Sequence, residues 1–100
     1  MTDTFVVAKH ISEGKLILAV CDADAHGKKF KSGKVMLDLS ARFYQGQEKD
    51  AAAVEKLMLQ AYTIHAVGKN AVAIAIKLGL AGKNDAKTVA GIRHVQVLMF

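Results

Sequence analysis

The sequence predicts an α+β fold in two layers, a mainly antiparallel sheet with two helices on one face. Three observations carry this expectation. Apolar, β-branched runs of strand length stand near both ends of the chain. A short Gly-containing turn joins the first two runs, which is hairpin chemistry. From Asp50 the apolar spacing changes to a helical period. Strands on both sides of a helical block suit helices packed on one face of a sheet.

Taken in order, Phe5-Val6-Val7-Ala8 is the first run and Ser12-Glu13-Gly14-Lys15 its turn. Leu16 to Val20 is apolar at every position, so both of its faces are candidates for burial. Cys21 to Gly27 leaves the sheet as a loop or single helical turn. Lys28 to Lys34 reads as a basic connection, and Val35 to Leu39 as a third strand. Phe43-Tyr44 is an aromatic pair closed by Gly46. Val54, Leu57, Met58, Ala61 and then Ile64 or His65 fall at i, i+3, i+4, i+7 spacing, which predicts an amphipathic helix with Asp50 as N-cap. Asn70 to Leu80 predicts a second helix, with Gly79 suited to its C-cap. Thr88-Val89 and Val95 to Phe100 read as terminal strands around Gly91-Ile92-Arg93-His94.

One hundred residues, 52% of them hydrophobic, fit a single domain over residues 1–100 and exclude a disordered chain. The lone Cys21 excludes an internal disulfide framework. No window approaches the ~20 apolar residues that a membrane-spanning helix needs, and the N-terminus has no basic signal region. The expectation is a cytoplasmic protein with no membrane association. Fourteen basic residues against nine acidic give a net charge of +5, which favours an acidic partner such as nucleic acid.

Four of those cations, Lys28, Lys29, Lys31 and Lys34, crowd into seven residues around Phe30. Such a stretch is either solvated surface or a contact for phosphates, with Phe30 either stacked on a base or plugged into the core. No Gly-x-x-x-x-Gly-Lys-Ser/Thr motif supports a nucleotide loop. In Arg93-His94-Val95-Gln96, strand alternation puts His94 and Gln96 on one face and the valines on the other. Both polar side chains donate and accept hydrogen bonds, and Arg93 adds a fork suited to phosphate. Cys21 and Asp22, with a distant His94, are the parts of a nucleophilic site. The ordinary alternatives are a small buried hydrophobe and a helix or turn cap. His10, His26, His65 and His94 share no ligand-like spacing, so neither a metal nor a cofactor is expected. The apolar Met99-Phe100 end reads as an edge strand open to a second copy of the chain.

The ordered landmarks resemble a known family. They are Cys21-Asp22, Gly27-Lys28 and Phe30; Phe43-Tyr44 and Gly46; Val67-Gly68, Ala71-Val72, Ala75-Ile76 and Gly79-Leu80; Gly91-Ile92, His94 and Gln96-Val97. The series looks like the archaeal family called domain of unknown function four-two-four. The resemblance implies an archaeal, cytoplasmic, small two-layer α+β protein with no assigned activity. It also implies a link to RNA or the ribosome by association with neighbouring translation genes. The chain departs from the family's pattern with Arg93 where proline is usual, His65 where asparagine is usual, and His26 where an aliphatic residue is usual.

The leading expectation is a non-catalytic RNA- or ribosome-associated binding protein. Lys28, Lys29, Lys31 and Lys34 would hold phosphates, Arg42 and Arg93 would support them, and His94 and Gln96 would give polar recognition. One alternative is a small enzyme or ligand-binding protein with a site around Cys21, Asp22 and His94. Another is a protein–protein adaptor working through an exposed sheet edge.

Overall fold

A computed structural model describes residues 4–39 and 44–98. Strand β1 (Thr4–Ser12) turns back into β2 (Lys15–Asp22) through Glu13 and Gly14, both at positive φ (54° and 76°). That is the geometry a two-residue hairpin needs to match the strands' right-handed twist. β2 then lies inside the sheet, with Leu18 to Cys21 buried on both faces as its unbroken apolar run requires.

A second hairpin follows, β3 (Lys29–Ser32) and β4 (Val35–Asp38), paired only with each other. The basic stretch expected as a connection is therefore largely a strand. β5 (Gln47–Asp50) pairs antiparallel with Thr4–Val7 of β1. Its polar sequence carries no strand signal. Its place comes from pairing, and Gly46 allows the close approach because a Cβ there would collide with the Val7 carbonyl.

Helix α1 (Ala51–Gln60) begins where expected: the Asp50 carboxylate accepts a hydrogen bond from Ala53 N–H at 2.9 Å. It ends at Gln60 rather than running to His65. Residues Thr63–Val67 form β6, which pairs parallel to β2. Tyr62 N–H donates to the Leu16 carbonyl at 2.8 Å and starts that pairing. The helical period and the strand overlap because Ile64 satisfies both, and the β-branched Thr63, Ile64 and Val67 resolve in favour of the sheet.

Helix α2 (Lys69–Lys77) stops with Gly79 at φ 76°. Leu80 N–H donates to the Ala75 carbonyl and Gly79 N–H to the Ile76 carbonyl, which is the Schellman pattern its glycine suggested. A single 3₁₀ turn (Lys83–Asp85) leads to β7 (Lys87–Val89) and β8 (Ile92–Leu98). Ile92 to His94, expected in the connection, are part of β8, because the turn needs only Ala90 and Gly91 (φ 50° and 84°). No helix among the described residues is long and apolar enough to cross a membrane.

The main sheet has six strands in the order β5-β1-β2-β6-β8-β7, antiparallel except for β2–β6. Both helices cover one face, as the α+β expectation has it. There Phe5, Val7, Leu18, Val20, Ile64, Ala66, Val95 and Val97 meet Val54 and Met58 of α1 and Ala71, Val72, Ile74 and Ala75 of α2. On the other face Val6, Cys21 and Val67 form a smaller cluster. It is covered by Ala25, Leu39 and the half-buried Phe30 and Tyr44 rather than by a helix.

Candidate nucleic-acid interface on the helix-free face

Alternation along β6 and β8 decides what this face presents. Ile64, Ala66, Val95 and Val97 go to the helices, so His65, His94 and Gln96 go the other way. Register brings them together across strands: His65 is opposite Gln96, Val67 opposite His94, and His94 opposite Lys87 of β7. Directly opposite residues on paired strands stand about 5 Å apart, and diagonal ones such as His65 and His94 about 7–8 Å. These four polar side chains, with Tyr44 and Asp85, line a cavity of about 400 Å³.

Burial sets the charge state of the cavity. It holds the His65 imidazole below its ordinary pKa. It does the same for His94, and the Lys87 ammonium beside it adds to the effect. Both rings are neutral at pH 7, each with one donor and one acceptor nitrogen. Tyr44 keeps its phenolic proton, because burial raises its pKa and Cys21 adds to the rise. Asp85 is turned to the chain itself, its Oδ2 accepting from Gly82 N–H at 2.7 Å.

The cysteine-centred alternative does not assemble. Cys21 and Asp22 are consecutive in β2, so their side chains leave on opposite faces. The Asp22 carboxylate goes to the helix side, where Oδ1 accepts from Ala71 N–H at 2.8 Å and Oδ2 from Asn70 N–H at 3.0 Å. It supplies the N-terminal cap that Gly68 cannot, and Gly68 leaves room for it, since a Cβ there would strike the carboxylate. The Cys21 thiol is fully buried, and its pKa is pushed up to about 11, first by burial and then by Asp22. It is a packed thiol and not a thiolate at neutral pH. His94 lies beyond Val67 of β6, two strand spacings or roughly 10 Å from Cys21.

The lysines fall differently. Lys29 and Lys31 share the outer face of β3, Lys34 stands in the hairpin turn, and Lys28 precedes the strand; all four are exposed. Asp38 of β4 sits opposite Lys29. Phe30 points inward and packs on the Cys21 cluster, so it is the core plug and not a stacking platform. The hairpin abuts β7, the strand that carries Lys87. Arg93 is half-buried and leaves β8 on the side of Val95 and Val97, away from His94 and Gln96, so it does not join them. Arg42 and Phe43 lie outside the described residues, as do Met99 and Phe100. Among the described residues no group of three or more His, Cys, Asp or Glu side chains is placed to hold a metal ion.

Sequence reasoning named His94 and Gln96 on the correct face but put His65 on a helix and passed over Lys87 and Asp85. Alternation within Thr63–Val67 was the available signal for His65. No local pattern marks Lys87, which joins the site only through the β7–β8 turn.

A family model with the description "Protein of unknown function (DUF424)" matches residues 10–100. An uncharacterized conserved protein from Methanopyrus kandleri, known from its crystal structure, has a similar fold, with TM-score 0.77 and 24% identity. The match covers 97% of this chain and 94% of that one. No curated protein matches the chain.

Proposed function

The chain belongs to the DUF424 family, whose description assigns no activity, and we propose that it is an RNA-binding protein of the cytoplasm. The observation that carries this reading is a juxtaposition. A hairpin with four exposed lysines abuts the strand whose Lys87 enters a cavity lined by neutral His65, His94 and Gln96. Exposed ammonium groups on this hairpin suit the phosphates of a single strand. The cavity's paired donors and acceptors suit the edge of an unstacked base, and the half-buried Tyr44 lines that cavity whereas Phe30 does not. The single, buried cysteine suits a reducing compartment.

Fluorescence anisotropy with a labelled single-stranded RNA tests the reading. Neutralising about four phosphates gives a log Kobs against log salt slope near −3. Absence of binding at low salt would rule it out. Affinity purification from the native cell, with and without ribonuclease, then separates an RNA-bridged ribosomal partner from a protein partner.

A second reading has its own observation. β7 pairs only with Ile92–His94, so among the described residues no strand pairs with the outer edge of Val95–Leu98, where Leu98 is exposed. We propose that this uncharged edge pairs with a second copy of the chain. Light scattering across a concentration series should then show a dimer, and a strictly monomeric protein at high concentration would end this reading.

A further inference from the structure

We propose that the same cavity cleaves RNA without a metal ion, with His65 and His94 as an acid–base pair and Lys87 steadying the charge that develops on the phosphate. The inference rests on the RNA reading above and adds a bond-breaking step to it. Its basis is placement. Three side chains from three adjacent strands, β6, β8 and β7, converge on one cavity of about 400 Å³. The diagonal between His65 and His94, about 7–8 Å at the backbone, lets two imidazoles stand on either side of one phosphodiester. Lys87 is directly opposite His94, within reach of the same group.

The step needs nothing the cavity lacks. A neutral imidazole takes the proton of the ribose 2′-hydroxyl while that oxygen bonds to phosphorus. A protonated imidazole gives its proton to the 5′-oxygen as the P–O5′ bond breaks. The products are a 2′,3′-cyclic phosphate and a 5′-hydroxyl, with no water, oxidant or metal consumed. Burial disfavours a charge on His94, and the Lys87 ammonium directly opposite it adds to the effect, which makes His94 the base. His65 stands on β6, one strand further from Lys87, so a bound phosphate offsets the burial that holds it neutral with no ammonium directly opposite, which makes His65 the acid. The other groups facing the pair are Tyr44, Gln96 and Asp85, the last already held by Gly82 N–H.

The test uses the full chain, a labelled single-stranded RNA and its all-2′-deoxy counterpart, in buffer containing a metal chelator. The expected result is binding of both strands and cleavage of the RNA alone, leaving 2′,3′-cyclic phosphate ends detectable by mass spectrometry. The rate should follow a bell-shaped pH profile with its maximum on the acid side of pH 7. At saturating RNA, His65→Gln and His94→Gln should each lower the cleavage rate at least about 100-fold. Binding with no cleavage across pH 4.5–8 (roughly the range in which imidazoles titrate) overturns the inference and leaves the RNA reading standing. Cleavage that survives both substitutions also overturns it. Failure to bind either strand removes the RNA reading and this inference with it. The deoxy strand and the pH profile use the unaltered protein, so the test does not depend on the variants folding.

Discussion

The two faces of the main sheet are built from the same strands and have opposite characters. On the helix face, every described inward position from Phe5 to Val97 in the cluster is apolar and meets α1 or α2. On the other face Val6, Cys21 and Val67 are sealed by a loop and a hairpin, the small Ala8, Ala19 and Thr63 are buried as well, and the remaining positions along β6 and β8 include His65, His94 and Gln96. The difference teaches where this fold spends its stability and where it leaves room for chemistry. A face covered by helices is apolar except where a polar group has a fixed partner, as the Asp22 carboxylate has in the first turn of α2. A face covered at one end by a short hairpin can keep polar side chains that are half-buried and neutral.

The largest effect should come from the helix face. Leu18→Ala removes a fully buried side chain and should cost about 2–5 kcal/mol in urea unfolding, whereas Gln96→Ala should stay within about 0.5 kcal/mol. Equal losses would break the contrast. Asp22→Ala comes next: it leaves the buried Ala71 N–H without its acceptor, at a cost of about 1–3 kcal/mol. Amide exchange at Asn70 and Ala71 should accelerate with it, while α1 stays protected.

The polar face should show itself through pH. His65 and His94 have lowered pKa values when folded, so below the ordinary 6.5 the unfolded chain binds more protons than the folded one. Stability therefore falls as pH drops from about 6.5 through the lowered folded values, and these two groups contribute no slope above that window. Unfolding midpoints between pH 4.5 and 8 (about the window in which imidazoles titrate) check this, and His94→Gln should flatten the curve. Cys21 gives a sharper marker of closure. With its pKa near 11 and no exposure, it should resist a thiol reagent in the native protein and react once the chain is unfolded. Immediate native-state labelling would show that the hairpin side is open.

The smallest effect on stability should come from the hairpin surface. Lys29→Gln with Lys31→Gln should leave the unfolding midpoint unchanged. The same pair should make the salt slope of RNA binding shallower by about 1.4, at about 0.7 per lost phosphate contact.

Much of this architecture was legible in the residues. The β1–β2 hairpin, the Asp50 cap, the Gly79 stop and the outward turn of His94 and Gln96 each follow from local chemistry or from alternation. What was not legible depends on contacts between distant segments. β5 is a strand because it lies against β1, and β6 reads as helix until β2 is there to pair with it. Asp22 caps a helix that begins 47 residues later, its carboxylate meeting Asn70 and Ala71. Lys87 reaches the cavity only after β7 folds onto β8.

The sequence by itself determined that the chain carries one apolar sheet-and-helix core and a dense run of lysines, because periodicity and charge are properties of neighbours along the chain. The tertiary structure alone decided that Cys21 and Asp22 part company, that Phe30 packs inward on the Cys21 cluster, and that His65, His94 and Lys87 share one cavity. Those outcomes depend on strand register and on which face receives the helices, and neither is written in any single segment.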